Sequence, residues 1–117
     1  MPKVYRVEHP RDGQGPYRSS YYLHKMHGKH CDLKSHPTPM EDFPLNFDFH
    51  NELYCGFKNI ESLKKWFYGF RSPLNKAEFK MVVYDVPEEH FHVGKNKTGQ
   101  VLFYKIKSEQ VSVGKIP

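Results

Sequence analysis

Two arginines and a tyrosine near the start of the chain carry side chains suited to binding a nucleotide. Arg6 lies in the middle of the alternating run 3–9, and Tyr17 and Arg18 follow a glycine-proline turn. A guanidinium can hold a phosphate through several donors, and an aromatic ring beside it can stack on a base or a nicotinamide. The sequence therefore predicts that Arg6, Tyr17 and Arg18 contribute to a ligand site. The alternative is that the two arginines are unrelated surface residues.

A second candidate ligand-binding element is the run Tyr54, Cys55 and Gly56, which ends a short predicted strand and leads into a helix. Asn59 is a preferred N-cap residue, and Glu61 in the first turn suits the positive end of the helix dipole. A strand that turns through a glycine into a capped helix points backbone N–H groups outward, which is a common way to hold an anion. We therefore expect Tyr54, Cys55 and Gly56 to border a cleft at the strand edge.

Histidines are concentrated in one stretch, where His24, His27, His30 and His36 surround Cys31. Imidazoles three residues apart lie on adjacent helical turns, and a cysteine could complete a zinc shell. The spacing matches no standard closed zinc site, because a second cysteine pair is missing. We therefore expect no metal, with His27, His30 and Cys31 as the residues closest to forming a site. The alternative to zinc is a set of surface or loop-packing histidines.

The composition is that of one small domain with an excess of basic residues. The chain has 117 residues, of which 38% are apolar and 26% charged, so we expect a single domain over 1–117. Its formal net charge of +5 favours a nucleotide, a nucleic acid or an acidic protein as partner. Nine Phe, eight Tyr and one Trp exceed what so small a core needs, so we expect some to line a groove or a contact surface.

The chain shows no pattern of a membrane or exported protein. No apolar run approaches the length needed to span a bilayer. The N-terminal run carries charge at Lys3 and Arg6, where a signal peptide would become apolar. We therefore expect a cytoplasmic protein that does not contact a membrane.

Hydrophobic periodicity predicts strands on both sides of one main helix. Apolar residues recur at helical spacing from Ile60 to Phe70, which predicts a helix over 59–70. Runs rich in β-branched and aromatic residues predict strands at 3–9, 79–86, 100–107 and 111–113.

The remaining long segment, 29–51, contains three prolines and has no sustained periodicity. Such a segment inside a small domain is commonly a lid or a specificity loop. Together these patterns predict the α+β class. We expect a single small domain with a mixed or antiparallel twisted sheet, one main helix (59–70) and a long irregular loop (29–51).

The order of these elements resembles the ADP-ribosyltransferase-like plan, in which small α+β domains bind NAD or a related nucleotide in a cleft. The run Val4–Val7 resembles the first strand, which presents an arginine toward the phosphates, and Tyr54–Asn59 resembles the turn into the central helix. The run 99–103 takes the place of the late strand that begins with a catalytic Glu or Gln. The resemblance implies that NAD is the ligand, that Gln100 is the catalytic residue and that the loop 29–51 covers the cleft.

Two departures from that plan bear on activity. Gln100 stands where the family usually has Glu, so it could donate a hydrogen bond to a ribose hydroxyl but could not supply a full negative charge to an oxocarbenium-like transition state. Tyr54, Cys55 and Gly56 replace the family's Ser-Thr-Ser element. Such a domain could bind a nucleotide without turning it over, so the sequence leaves open whether the protein is an enzyme.

The size and charge of the chain also resemble those of small proteins encoded by bacteriophages and prophages. This resemblance implies a non-enzymatic alternative, an anti-CRISPR-like inhibitor that occludes a host defence protein by surface contact. Aromatic and arginine side chains dominate the energetics of protein interfaces, which suits a basic, aromatic-rich domain.

Direct binding of single-stranded nucleic acid is the third hypothesis. Lysines accompanied by nearby Tyr and Phe residues are typical of surfaces that contact phosphates and stack bases. The lysines on which this hypothesis depends are Lys25, Lys29, Lys34, Lys64, Lys65, Lys95 and Lys97.

Overall fold

Strand β1 lies at the centre of an antiparallel sheet that organises the protein. The structure is a computed structural model that describes residues 1–17, 19, 43, 52–95 and 97–117. In these residues six strands are hydrogen-bonded in the order β4-β5-β2-β1-β3-β6. The strands are β1 (Lys3–Glu8), β2 (Leu53–Phe57), β3 (Lys80–Asp85), β4 (Phe91–Val93), β5 (Gln100–Tyr104) and β6 (Glu109–Gly114).

Two short α-helices connect β2 to β3 within the described residues. Helix α1 spans Ile60–Trp66 and helix α2 spans Arg71–Lys76. Two single turns of 3-10 helix, Glu88–His90 and Lys105–Lys107, precede β4 and follow β5. No helix in this described part of the chain is both long and apolar enough to cross a membrane.

The alternation of side chains along β1 explains why it occupies the centre. Val4 and Val7 point to opposite faces of the sheet, and both are buried. On Val7's side, which we call the helix-covered face, the core includes Phe57, Leu63, Trp66, Phe67, Leu74, Phe79 and Ile116. On Val4's side, which we call the Arg6 face, it includes Val82, Tyr84, Val86, Val101 and Phe103.

The predicted α+β fold with one main helix over 59–70 is wrong, because this is a mainly β domain with two short helices in its described part. The Asn59 cap is confirmed, since its side chain accepts a hydrogen bond from the N–H of Ser62 at 2.8 Å. The helix nevertheless ends at Trp66, and Gly69 then takes a φ of 86°, which glycine adopts readily. The apolar spacing therefore continues through a turn rather than through a helix. Apart from Phe43, the predicted loop 29–51 lies outside the described residues.

Gly56 allows β2 to approach β1 closely. A Cβ atom built on Gly56 would lie 2.3 Å from Cγ1 of Val4 and 3.2 Å from the carbonyl oxygen of Tyr5. Both are contacts that the buried sheet could relieve only by moving. Gly56 therefore serves the packing of the two strands.

We expect Gly56→Ala to lower the free energy of unfolding by about 1–3 kcal/mol, because the added methyl overpacks the β1–β2 contact. Urea unfolding followed by circular dichroism measures the change. Gly114→Ala is the matched control, since a Cβ at Gly114 meets nothing within 4 Å. Its effect should stay within about 0.5 kcal/mol. Equal losses in the two variants would contradict this account of Gly56.

Candidate functional site

Arg6 lies in a buried polar cluster, with all of its guanidinium nitrogens engaged by the protein. Nε donates to Oε1 of Glu8 at 3.0 Å, and Nη1 donates to the carbonyl oxygen of Cys55 at 2.6 Å. Nη2 donates to the carbonyl oxygen of Gly13 at 3.4 Å. Only 5% of Arg6 is exposed. A phosphate at this arginine would therefore have to displace protein acceptors, including a carboxylate.

Glu8 holds this cluster together by accepting from three side chains. Besides Arg6, its Oε1 accepts a hydrogen bond from the hydroxyl of Tyr84 at 2.8 Å and lies 3.3 Å from Nζ of Lys105. Lys105 also donates to the carbonyl oxygen of Gly13 at 3.1 Å. Removing a carboxylate from water is costly, and the cost is offset only where such partners are in place. The cluster is thus a satisfied ion network that joins β1, β3, the 9–15 turn and the end of β5.

Tyr54 completes the cluster with its aromatic face. The ring centre lies 4.9 Å from Cζ of Arg6 and 4.8 Å from Nζ of Lys105. Both distances are within the range at which a cation is attracted to an aromatic ring. The structure therefore brings the predicted residues Arg6, Tyr54, Cys55 and Gly56 together, around a salt bridge rather than around an open cavity.

The environment of Tyr84 keeps its phenol protonated. Burial, followed by the charge and hydrogen bond of Glu8, raises the pKa of the Tyr84 hydroxyl above its ordinary value of 10.0. The hydroxyl therefore remains a donor to Glu8 across the physiological range. Sequence reasoning missed Glu8, Tyr84 and Lys105 as members of this cluster. Of these three residues, only Glu8 could have been predicted to lie beside Arg6, because residues two apart in a strand share a face.

Gln100 and Tyr17 lie away from Arg6. Gln100 is buried at the start of β5, opposite Phe57. Because Val101 belongs to the Arg6 face, the alternation of the strand places Gln100 on the helix-covered face. Tyr17 accepts a hydrogen bond from Nε1 of Trp66 at 2.7 Å, and burial raises the pKa of its hydroxyl. The structure does not bring these two residues to Arg6, and a ligand-binding role for them stays a prediction.

The remaining predicted positions, Arg18, His27, His30 and Cys31, lie outside the described residues. Among the residues that are described, no group of three His, Cys, Asp or Glu side chains could hold a metal ion.

A second candidate surface, which is exposed rather than buried, lies where α1 leads into α2. Lys64, Lys65, Tyr68 and Arg71, which we call the basic corner, line a half-open groove of about 480 Å³. The buried side chains of Phe67 and Ile116 line its base. The hypothesis of nucleic-acid binding included the two lysines, but Tyr68 and Arg71 were missed. Their closeness in the sequence to Lys64 and Lys65 is the signal that could have found them.

Three local features position the basic corner. Lys64 and Lys65 lie in the last turn of α1, where cations favour the negative end of the helix dipole. Gly69, at its positive φ, carries the chain from Tyr68 into α2. The base of the groove is fixed because Asn75 exchanges two hydrogen bonds with the backbone of Ile116, at 3.0 and 3.1 Å.

The cations of the basic corner are available to a partner. Lys64, Lys65 and Arg71 are exposed, and their side chains form no hydrogen bond or ion pair with other described residues. This contrasts with Arg6 and Lys105, which are already engaged by Glu8, by backbone carbonyls and by the ring of Tyr54. An anion at the corner would break no hydrogen bond or ion pair that these three side chains form within the described part of the chain.

We expect Glu8→Gln to lower the free energy of unfolding by about 3–5 kcal/mol, because it leaves the buried charge of Arg6 without its carboxylate. Urea unfolding at neutral pH measures the loss. Asp85→Asn is the control, since it removes a partner of exposed Lys3 at 2.6 Å, and surface pairs contribute less than about 1 kcal/mol. A loss for Glu8→Gln no larger than that of the control would show that the cluster is not an energetic centre.

Alkaline pH should weaken the fold through Tyr84. The folded-state pKa of Tyr84 lies above its unfolded value, so this contribution to stability is complete below pH 10 and is lost as the pH rises through the folded pKa. Between about pH 8 and pH 11 the free energy of unfolding should fall more steeply in the wild type than in Tyr84→Phe, with the difference limited to about 1.4 kcal/mol per pH unit. Parallel curves for the two proteins would contradict the raised pKa.

Comparison with known proteins places the chain among phage proteins. A family model described as "Bacteriophage T4 Y00F protein" matches residues 1–116. No curated protein and no solved structure matches the chain. The phage resemblance is thereby confirmed, whereas these comparisons show no resemblance to ADP-ribosyltransferases. The chain belongs to the Bacteriophage T4 Y00F protein family and is a small phage-encoded protein.

Proposed function

We propose that this phage protein is a binding protein without chemistry of its own, which docks an acidic macromolecule on the basic corner. The observation that carries the proposal is the grouping of three exposed cations, Lys64, Lys65 and Arg71, with exposed Tyr68 around one groove; none of the three pairs with another described residue. Such a surface raises the local concentration of an anionic partner and accelerates its association.

The buried cluster supports binding at the corner over nucleotide chemistry at Arg6. An NAD-like ligand at Arg6 would compete with Glu8 for the guanidinium, and breaking a buried ion pair is strongly unfavourable. Gln100, the residue that would act on the ribose, lies on the opposite face of the sheet. We therefore do not extend the ADP-ribosyltransferase-like hypothesis to this protein.

The placement of the aromatic residues also supports a single compact contact surface. Most of the described Phe residues are buried, among them Phe57, Phe79 and Phe103, so these side chains serve the core. Tyr68 differs, since 87% of it is exposed. An inhibitor of a host defence protein would use this surface against an acidic protein face, and a nucleic-acid-binding protein would use it against phosphates. Both are acidic partners of the same corner.

Charge reversal tests the proposal. Heparin serves as a polyanionic probe, and the salt concentration that elutes the protein from a heparin column measures the attraction. We expect the triple variant Lys64→Glu, Lys65→Glu and Arg71→Glu to elute at much lower salt than the wild type, because exposed charges act through screened attraction.

A second triple variant controls for net charge. Lys95→Glu, Lys97→Glu and Lys107→Glu make the same change in net charge at exposed positions away from the groove. This variant should elute close to the wild type. If both triple variants elute at the same salt, the binding reflects net charge alone and the proposed function is wrong.

A further inference from the structure

We propose that the acidic partner is single-stranded nucleic acid, with one base stacked on Tyr68 and the adjacent phosphates contacted by Lys64, Lys65 and Arg71. This inference rests on the proposed function and names its partner. Its support is the exposed ring of Tyr68, the composition of the corner and the size of the groove.

The ring of Tyr68 is exposed, and no other described residue stacks on it. The residue is 87% exposed, and its side chain forms no ring contact or hydrogen bond with any other described residue. An exposed aromatic ring is the element on which proteins stack the bases of a single strand. In a duplex the base faces are covered by their neighbours, so only an unpaired strand can use this ring.

The composition of the corner fits phosphates better than a protein face. Lysine is depleted at protein–protein interfaces, where aromatic residues and arginine are enriched and cluster as anchors. Here Lys64, Lys65 and Arg71 surround a single exposed aromatic residue, Tyr68. Flexible lysines can follow a strand whose phosphates are not rigidly spaced.

The groove beside Tyr68 has the size and lining that a base requires. Its volume of about 480 Å³ falls in the range of about 300–1,000 Å³ that holds small organic ligands. Buried, apolar Phe67 and Ile116 line it together with the exposed cations. A strand would thus place an aromatic base over apolar side chains and its charged backbone beside the lysines.

Fluorescence anisotropy with a labelled oligothymidine strand of about ten nucleotides tests the inference on the full chain. Tyr68→Ala should weaken binding by about 5- to 150-fold, whereas Tyr68→Phe should bind like the wild type. Tyr68→Ala should leave the slope of log affinity against log salt unchanged, because the tyrosine contacts no phosphate. Each of Lys64→Gln and Lys65→Gln should reduce that slope by about 0.7.

An abasic strand of the same length is the decisive control. We expect the wild type to bind it as weakly as Tyr68→Ala binds oligothymidine, and Tyr68→Ala to have no further effect. The wild type should also prefer oligothymidine to a duplex of equal length, and Tyr68→Ala should lose this preference.

The outcomes separate this inference from the proposed function. If polyaspartate competes as well as oligothymidine, or if Tyr68→Ala binds oligothymidine like the wild type, the single-strand inference is wrong. The proposed function then still stands, provided that the corner triple variant alone has lost heparin binding. If that variant retains heparin binding, both are wrong.

Discussion

The buried ion pair between Arg6 and Glu8 is the interaction on which the rest of this structure depends. Two charges taken out of water require complete hydrogen bonding, and the protein supplies it from separate parts of the chain. The carbonyl of Cys55 comes from β2, the carbonyl of Gly13 from the turn after β1, and the ammonium of Lys105 from the end of β5. Each donor or acceptor must be in place for the others to be satisfied. The pair therefore fixes the relative positions of elements that are far apart in the sequence.

This arrangement separates the basic residues into two groups with different consequences. Arg6 and Lys105 are held by carboxylate, carbonyl and ring partners, so a ligand would have to replace interactions that stabilise the fold. Lys64 and Lys65 are exposed and have no such partners among the described residues, so an anion there would replace none of the interactions that stabilise the described fold. A strongly basic composition alone does not distinguish these groups. The distinction comes from burial, and it moves the expected ligand surface from the centre of the sheet to the α1–α2 turn.

Local patterns predicted every described strand except β4, together with the start of α1, but they could not predict how distant residues meet. Alternating side chains marked β1 as a strand, and Asn59 marked the start of a helix because its side chain accepts a hydrogen bond from the N–H of Ser62. The end of the helix was missed because apolar spacing persists through the turn at Gly69. Arg6 was recognised as unusual from its place within a strand, yet Lys105, which pairs with the same carboxylate, lies 97 positions from Glu8 and is brought there by strand order alone. A strand order that brings distant residues together leaves no pattern in the local sequence.

The sheet also explains why the basic corner is better suited to a contact surface than the edge strand β6. Edge strand β6 is exposed along its whole length, but its pairing with β3 is interrupted by a bulge between Val83 and Tyr84. Its first residue, Glu109, is opposite another carboxylate, Asp85. Bulges and charges at an edge hinder the addition of a further strand. The corner, in contrast, rests on the helix-covered face, with the sheet between it and the Arg6 cluster. Sites that share no contacts have nearly additive effects on stability, so changes at the corner can alter binding while the ion pair continues to hold the fold.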